Sequence, residues 1–169
     1  GVGKTTLARE VYNDKAAEGF EPRAWVCVYE DFDILRISKS ILESITCSPC
    51  DLKDLNPVQI LLKQAVAGKR FLLVLDDVWS KNYSLWETLK APFMAGAFGS
   101  KIIVTTRLQE VALTMSPQGC HKLNLLSDHD IWLVFVKHAF ESVDIDSHPN
   151  LESIRQNVVK KCGGLPLAL

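Results

Sequence analysis

Short apolar, β-branched runs alternate along the chain with longer stretches whose apolar residues recur every three or four positions. That alternation predicts an α/β fold built on a parallel sheet. Four runs have strand character: residues 23–28, 70–76, 101–106 and, with the weakest pattern, 121–126. The second and third carry apolar residues on both faces, as strands covered by helices on each side do. Between the runs lie helical patterns. The first covers residues 4–18 with Leu7, Val11 and Tyr12 on one face, and the next uses Ile34, Ile37, Ile41 and Ile45. A third has a full set of boundary signals: Asn56 as N-cap, Pro57 at the first helical position, Gln59 for a capping box, Leu55 against Ile60 as a staple, and Gly68 beyond the end. Residues 85–93 and 108–115 predict two short helices.

After Leu126 the strand–helix alternation stops. Ser127-Asp128-His129-Asp130 precedes a helical pattern containing Ile131, Phe135 and Ala139, and a second helix is expected over residues 151–161 before Gly163-Gly164 breaks it. The expected organisation is therefore an α/β part over residues 1–126 and the start of an all-helical lobe over residues 127–169.

Composition narrows the field. With 169 residues, 47% of them hydrophobic and 23% charged, the chain can bury a real core, and disordered, collagen-like and coiled-coil readings fall away. Nineteen basic residues against twenty acidic ones leave a net charge of −1, so no overall field draws in nucleic acid or an anionic membrane. The longest apolar run, residues 131–136, is far short of the roughly 18–20 residues of a membrane span. The N-terminus is a Gly-rich turn rather than a charged leader with an apolar core, and five scattered cysteines read as reduced thiols, so a cytoplasmic protein is expected. A motif beginning at residue 1 without an initiator Met leads us to expect a longer polypeptide.

Three segments carry chemistry. Gly1-Val2-Gly3-Lys4-Thr5-Thr6 opens a predicted helix and matches the second half of the phosphate-binding pattern G-x-x-x-x-G-K-[ST]. Glycines let backbone N–H groups turn inward around phosphate oxygens, and the helix that follows aims its positive end at the anion. Lys4 would reach the β- and γ-phosphates and the Thr5 hydroxyl would ligate Mg²⁺. Phe71-Leu72-Leu73-Val74-Leu75 then ends in Asp76-Asp77, a buried strand delivering carboxylates as a Walker B motif requires. One Asp would hold the Mg²⁺ shell and the next polarise water. Arg107 follows the strand Ile102-Ile103-Val104-Thr105-Thr106, and strand C-termini in such sheets converge on one ligand crevice where an Arg can meet a terminal phosphate.

These segments, in order, resemble the motifs of the NB-ARC domain: residues 1–8, Leu-Leu-Val-Leu-Asp-Asp-Val-Trp at 72–79, Gly-Ser-Lys-Ile-Ile-Val-Thr-Thr-Arg at 99–107 and Gly-Gly-Leu-Pro-Leu-Ala-Leu at 163–169. Residues 24–28 with the helix to Ile45, and residues 123–140, resemble the intervening blocks. That domain is the nucleotide-binding module of plant nucleotide-binding, leucine-rich-repeat disease-resistance proteins, and Trp79 resembles the branch with an N-terminal coiled coil. The resemblance implies a P-loop NTPase-type parallel sheet flanked by helices, its first strand and preceding glycines absent here, followed by the helical lobe. It implies phosphate and Mg²⁺ binding by Gly1, Val2, Gly3, Lys4, Thr5 and Thr6, with Asp76 as the metal-side carboxylate. By the same resemblance Asp77 is the catalytic base, Arg107 senses the γ-phosphate, and Pro166 packs on adenine. The cofactors implied are ATP or ADP with Mg²⁺. The partners implied are a winged-helix domain, leucine-rich repeats and a coiled coil of the same polypeptide, with oligomerisation on activation.

The implied function is a switch in an intracellular immune receptor, ADP-bound at rest and ATP-bound when active, with slow hydrolysis as reset. One rival is a catalytic P-loop NTPase or kinase, which would need an acceptor site or lid that no segment suggests. A GTPase would need D-x-x-G and N-K-x-D, both absent, and a nucleotide-independent interaction module would not need Lys4, Asp76 and Asp77. Other signals read as structural. Cys47-Ser48-Pro49-Cys50 has metal spacing without a second ligand pair, and Cys120-His121 has no acidic partner in register. His129, His138 and His148 read as surface or helix-face residues, and Trp132 and Phe135 as core or lobe-interface residues. An upstream strand inside the sheet would make autonomous folding of the 169 residues poor, and weak nucleotide binding by them alone is expected.

Overall fold

The computed structural model describes residues 1–29, 31–116, 119–139 and 150–169. They divide into two compact units, one of Thr5–Cys120 and one of Gly1–Lys4 with His121–Leu169.

In the first unit, β1 (Arg23–Cys27), β2 (Leu72–Asp76) and β3 (Lys101–Val104) form a parallel sheet in the order β1-β2-β3. Arg23 lies opposite Leu72, and Leu72 opposite Lys101. Strand alternation then sorts side chains between two faces. Ala24 and Val26 of β1 and Leu73 and Leu75 of β2 join one buried cluster with α2 (Ile34–Thr46) and α3 (Leu55–Val66), which contribute Ile37, Ile41, Val58 and Leu62. Of the isoleucine stripe anticipated from the sequence, Ile37 and Ile41 are buried and Ile34 and Ile45 pack half-buried against the cluster. Trp86 and Leu89 of α4 (Tyr83–Lys90) and Val111 of α5 (Gln109–Met115) complete that cluster. On the opposite face lies α1 (Lys4–Asn13), where the Tyr12 ring meets Trp25 edge-on at 5.6 Å and Arg23 Nη1 donates to the Tyr12 carbonyl at 3.2 Å. A groove of about 530 Å³ runs between α1 and the β3 edge, past Val11, Phe20 and Ile103. All five residues of β2 are buried, as expected for a strand covered on both sides.

Element boundaries follow local chemistry that periodicity alone does not reveal. Helix α1 stops at Asn13, and Asp14 caps a 3₁₀ turn, Lys15–Ala17, by accepting the Ala16 N–H at 2.8 Å. The expected start of α3 is corrected: its N-cap is Asp54, not Asn56, so Pro57 occupies the third helical position, where its missing N–H still costs nothing. Gln59 does not form a capping box either. Its amide donates to the Thr88 carbonyl at 2.8 Å, so packing against α4 claims the side chain that the local motif would have used.

The second unit contains α6 (Asp128–Ala139), α7 (Asn150–Cys162) and a 3₁₀ turn, Pro166–Ala168. Ser127 starts α6 by accepting the Asp130 N–H at 3.1 Å while donating to Asp130 Oδ2 at 2.6 Å, a reciprocal cap. Ile131, Trp132 and Val136 form its buried side, and the Trp132 and Phe135 rings stack at 5.4 Å as structural residues. Residues 121–126, expected as a strand, pair with no strand among the described residues. Instead the Leu126 N–H donates to the Gly164 carbonyl at 2.9 Å, and a Cβ at Gly164 would lie 2.7 Å from Leu125 Cβ. The glycine break after α7 therefore holds this segment by close backbone approach. His129 and His138 are exposed, as expected; His148 and Phe140 lie outside the described residues.

One core position is imperfect. Ser38 of α2 is fully buried and its hydroxyl has no partner among the described residues. Replacing it by Ala removes the unmet polar group and adds helix propensity. Ser38→Ala should stabilise the chain by about 1 kcal/mol and raise the melting temperature by roughly 2–4 °C in a circular-dichroism melt. A lower melting temperature would show that the hydroxyl is satisfied in solution.

Candidate functional site

The site begins with the parity of β2. Leu72, Val74 and Asp76 project to the face that α1 covers, so the last residue of the strand carries a carboxylate under the start of that helix. Continuing the β2–β3 register by one step places Thr105 opposite Asp76 on the same face. Asp76 is only 5% exposed and Thr105 7%. Burying a carboxylate is costly unless it is hydrogen-bonded, and two hydroxyls supply the bonds. Thr5 Oγ1 lies 3.0 Å from both Asp76 oxygens, and Thr105 Oγ1 donates to Oδ1 at 2.5 Å.

Beyond β2 the chain turns sharply through Asp77, whose φ of 56° is a left-handed conformation that Asp tolerates better than most residues. The Asp77 N–H donates to Thr105 Oγ1 at 2.9 Å, which leaves its carboxylate to face Arg107. Arg107 Nε lies 3.4 Å from Asp77 Oδ1, and the guanidinium sits 5.2 Å from the Trp79 ring centroid. The two side chains are 59% and 40% exposed, and a pair so wet contributes only about 0–1 kcal/mol. Arg107 is thus held loosely enough to exchange Asp77 for another anion.

In the other unit, Gly3 has φ 94° with nothing among the described residues within 4 Å of where a Cβ would stand, so backbone conformation rather than space requires glycine there. At Gly1 the reverse holds. A Cβ would fall 2.6 Å from Leu167 Cβ, and the Leu167 N–H approaches the Gly1 carbonyl at 3.4 Å. The first turn of α1 contains no acidic residue of its own, and the carboxylate at its positive end is that of Asp76, bonded to Thr5. Thr6 is exposed on that turn, Val2 and Lys4 are half-buried, and Pro166 is half-buried at the head of the final 3₁₀ turn.

Of the residues singled out from the sequence, Thr5, Asp76, Asp77 and Arg107 are brought together in the first unit. Gly1, Val2, Gly3, Lys4 and Pro166 belong to the second. Thr105 was missed, although a hydroxyl ending an otherwise apolar strand was its visible signal. The donors around Asp76 are all oxygen, the set that suits Mg²⁺ bound jointly by protein and phosphate. Among the described residues no three His, Cys, Asp or Glu converge as a metal cluster. Cys50, from the discounted Cys-x-x-Cys, is buried with its N–H on Glu43 Oε1 at 2.8 Å, and Cys47 is exposed.

A parallel sheet that gathers a hydroxyl, paired carboxylates and an arginine at its strand ends, beside a helix entered through Gly-Val-Gly-Lys, defines a P-loop nucleotide-binding fold. The NB-ARC domain profile matches residues 1–144, and the chain belongs to the NB-ARC family of nucleotide-binding domains. It is 44% identical over 170 residues to the disease resistance protein RGA2 of Solanum bulbocastanum, covering 99% of this chain and 17% of that protein. It is 42% identical over 172 residues to RPP13-like protein 1 of Arabidopsis thaliana, covering 100% and 16%. With the disease resistance RPP13-like protein 4 of the same plant the identity is 39% over 173 residues, covering 100% and 20%. The chain therefore spans about a sixth to a fifth of the length of these relatives. No helix among the described residues is long and apolar enough to cross a membrane.

The conformation of Gly3 generates a direct expectation. Gly3→Ala forces an L side chain into a sparsely populated region at roughly 1–3 kcal/mol, with no clash to relieve. The loop should relax away from its native path, weakening nucleotide retention measured by chromatography of denatured protein. Unchanged retention would show that the loop conformation is not required for binding.

Proposed function

We propose that the chain is the ATP/ADP-binding switch module of an intracellular plant immune receptor. The observation that carries this reading is the buried Asp76 carboxylate, shared at 3.0 Å with Thr5, the hydroxyl immediately after Gly-Val-Gly-Lys. Thr5 sits in the first turn of α1, whose free N–H groups and positive end suit phosphate oxygens. Lys4 supplies a compact cation to the β- and γ-phosphates, and Gly1, Val2, Gly3 and Thr6 lend backbone N–H groups or hydroxyl contacts to the same anion. Thr5 and Asp76 would hold Mg²⁺, which when bound neutralises phosphate charge.

Asp77 stands beyond the strand, half-exposed and turned away from the Asp76 cluster, a position that suits a group polarising water rather than one holding metal. Arg107 rests on Asp77 and Trp79 through contacts weak enough to give way to a γ-phosphate, so it distinguishes ATP from ADP. Pro166 contributes an apolar surface for adenine. A nucleotide that binds two conformations unequally shifts their populations by its differential affinity alone, with ADP favouring the resting state and ATP the active one. The names of the similar plant proteins support a role in disease resistance. Cytoplasmic placement, regulation by winged-helix, leucine-rich-repeat and coiled-coil regions of a longer polypeptide, and oligomerisation when active belong to the same proposal.

The test is made in the full-length protein. Lys4→Ala should abolish nucleotide retention, since a charge-assisted contact to phosphate is worth roughly 1.5–3 kcal/mol, and Lys4→Arg should impair it because the planar guanidinium does not replace an ammonium. Bound ADP unchanged in Lys4→Ala would sink the reading. The two carboxylates should separate in isothermal titration and single-turnover assays. Asp76→Ala weakens Mg²⁺-dependent ATP binding, whereas Asp77→Asn preserves binding, slows hydrolysis and prolongs signalling. Equal loss of ATP affinity in both variants would contradict the division of roles, and rapid multiple turnover by the unaltered protein would favour a catalytic NTPase.

A further inference from the structure

Thr105 has no role in the reading above, yet it bonds to four successive residues at the end of β2. Its N–H donates to the Leu75 carbonyl at 3.0 Å and its carbonyl accepts the Val78 N–H at 2.9 Å. Between these backbone bonds, its hydroxyl accepts the Asp77 N–H at 2.9 Å and donates to Asp76 Oδ1 at 2.5 Å. A hydroxyl carries one proton. With the Asp77 N–H occupying the acceptor side, that proton is directed to Asp76, and at 7% exposure little water competes for it.

One hydroxyl thus ties together the rotamer of Asp76 and the left-handed turn at Asp77. Without it, among the described residues the Asp76 carboxylate keeps the Thr5 hydroxyl alone and is free to swing about χ1, while the Asp77 N–H loses the acceptor that offsets its strained backbone. Strand packing alone does not explain the residue, because a valine would fill the same volume with the same branching.

We propose that Thr105 is a positioning residue for divalent-cation loading: its hydroxyl holds the Asp76 carboxylate against Thr5 before the cation arrives. The inference rests on the assignment of Thr5 and Asp76 to Mg²⁺ made above. It sets an expectation for a residue two positions before Arg107, separate from the sensing of a terminal phosphate. Groups that orient a ligating carboxylate typically change metal affinity by about 10- to 100-fold when removed.

The experiment titrates Mg²⁺ into the full-length protein with a fluorescent ATP analogue, comparing the unaltered chain with Thr105→Val and Thr105→Ser. In Thr105→Val the Mg²⁺ concentration at half-maximal effect should rise by about tenfold or more, while affinity for the analogue in excess chelator stays within about twofold. Thr105→Ser, which retains the hydroxyl, should recover most of the shift. A purely structural role would lower the melting temperature of Thr105→Val with the Mg²⁺ midpoint unmoved, and that result overturns the inference. Should Thr105→Val not fold, Thr105→Ala also removes the hydroxyl, and an unmoved midpoint there is equally fatal. If the unaltered protein binds the analogue with no Mg²⁺ dependence, the Thr5–Asp76 assignment itself fails. A dependence in the unaltered protein that Thr105→Val leaves in place removes this inference alone.

Discussion

A carboxylate buried at the end of the central strand constrains everything around it. Asp76 is removed from water, and the penalty for that is met by two hydroxyls from opposite directions in the chain, Thr5 at the start of α1 and Thr105 beyond β3. Each donor reaches it only because a larger element is in place. Thr5 requires α1 to lie across the face to which Leu72, Val74 and Asp76 point, and Thr105 requires the β2–β3 register. A slip of one residue would turn Asp76 toward the apolar cluster of α2 and α3, away from both hydroxyls.

The same strand separates stability from chemistry. One face of β2 feeds Leu73 and Leu75 into the main core, whose complete burial makes the strand a rigid support. The other face ends in the polar cluster, and the turn that follows exposes Asp77, Trp79 and Arg107. The gradient from the buried Asp76 to the wet Arg107–Asp77 pair is a gradient in how readily contacts exchange. The tightly bonded group suits a fixed duty such as holding a cation, and the loosely bonded pair suits a sensor that gives up one anion for another. The proposed switch would use both kinds of contact.

The chain by itself determined the α/β class, the three strands of the sheet and the phosphate-loop, carboxylate and arginine motifs. These are written in short-range pattern: β-branched runs flanked by turns, an isoleucine stripe at helical spacing, and glycines next to Lys-Thr-Thr. It misplaced features whose outcome depends on a distant partner. Asn56 has the chemistry of an N-cap, but α3 starts after Asp54 and Gln59 is drawn to Thr88. Residues 121–126 have strand composition, but a strand exists only through its ladder, and Gly164 takes their backbone instead. In the sequence Thr105 stood only as one residue of the run before Arg107. Its bond to a carboxylate 29 residues away follows from strand register, a property of two strands at once that neither segment encodes alone. Tertiary structure decided these points because hydrogen-bonding groups choose among all available partners, and only the folded chain settles which partners are within reach.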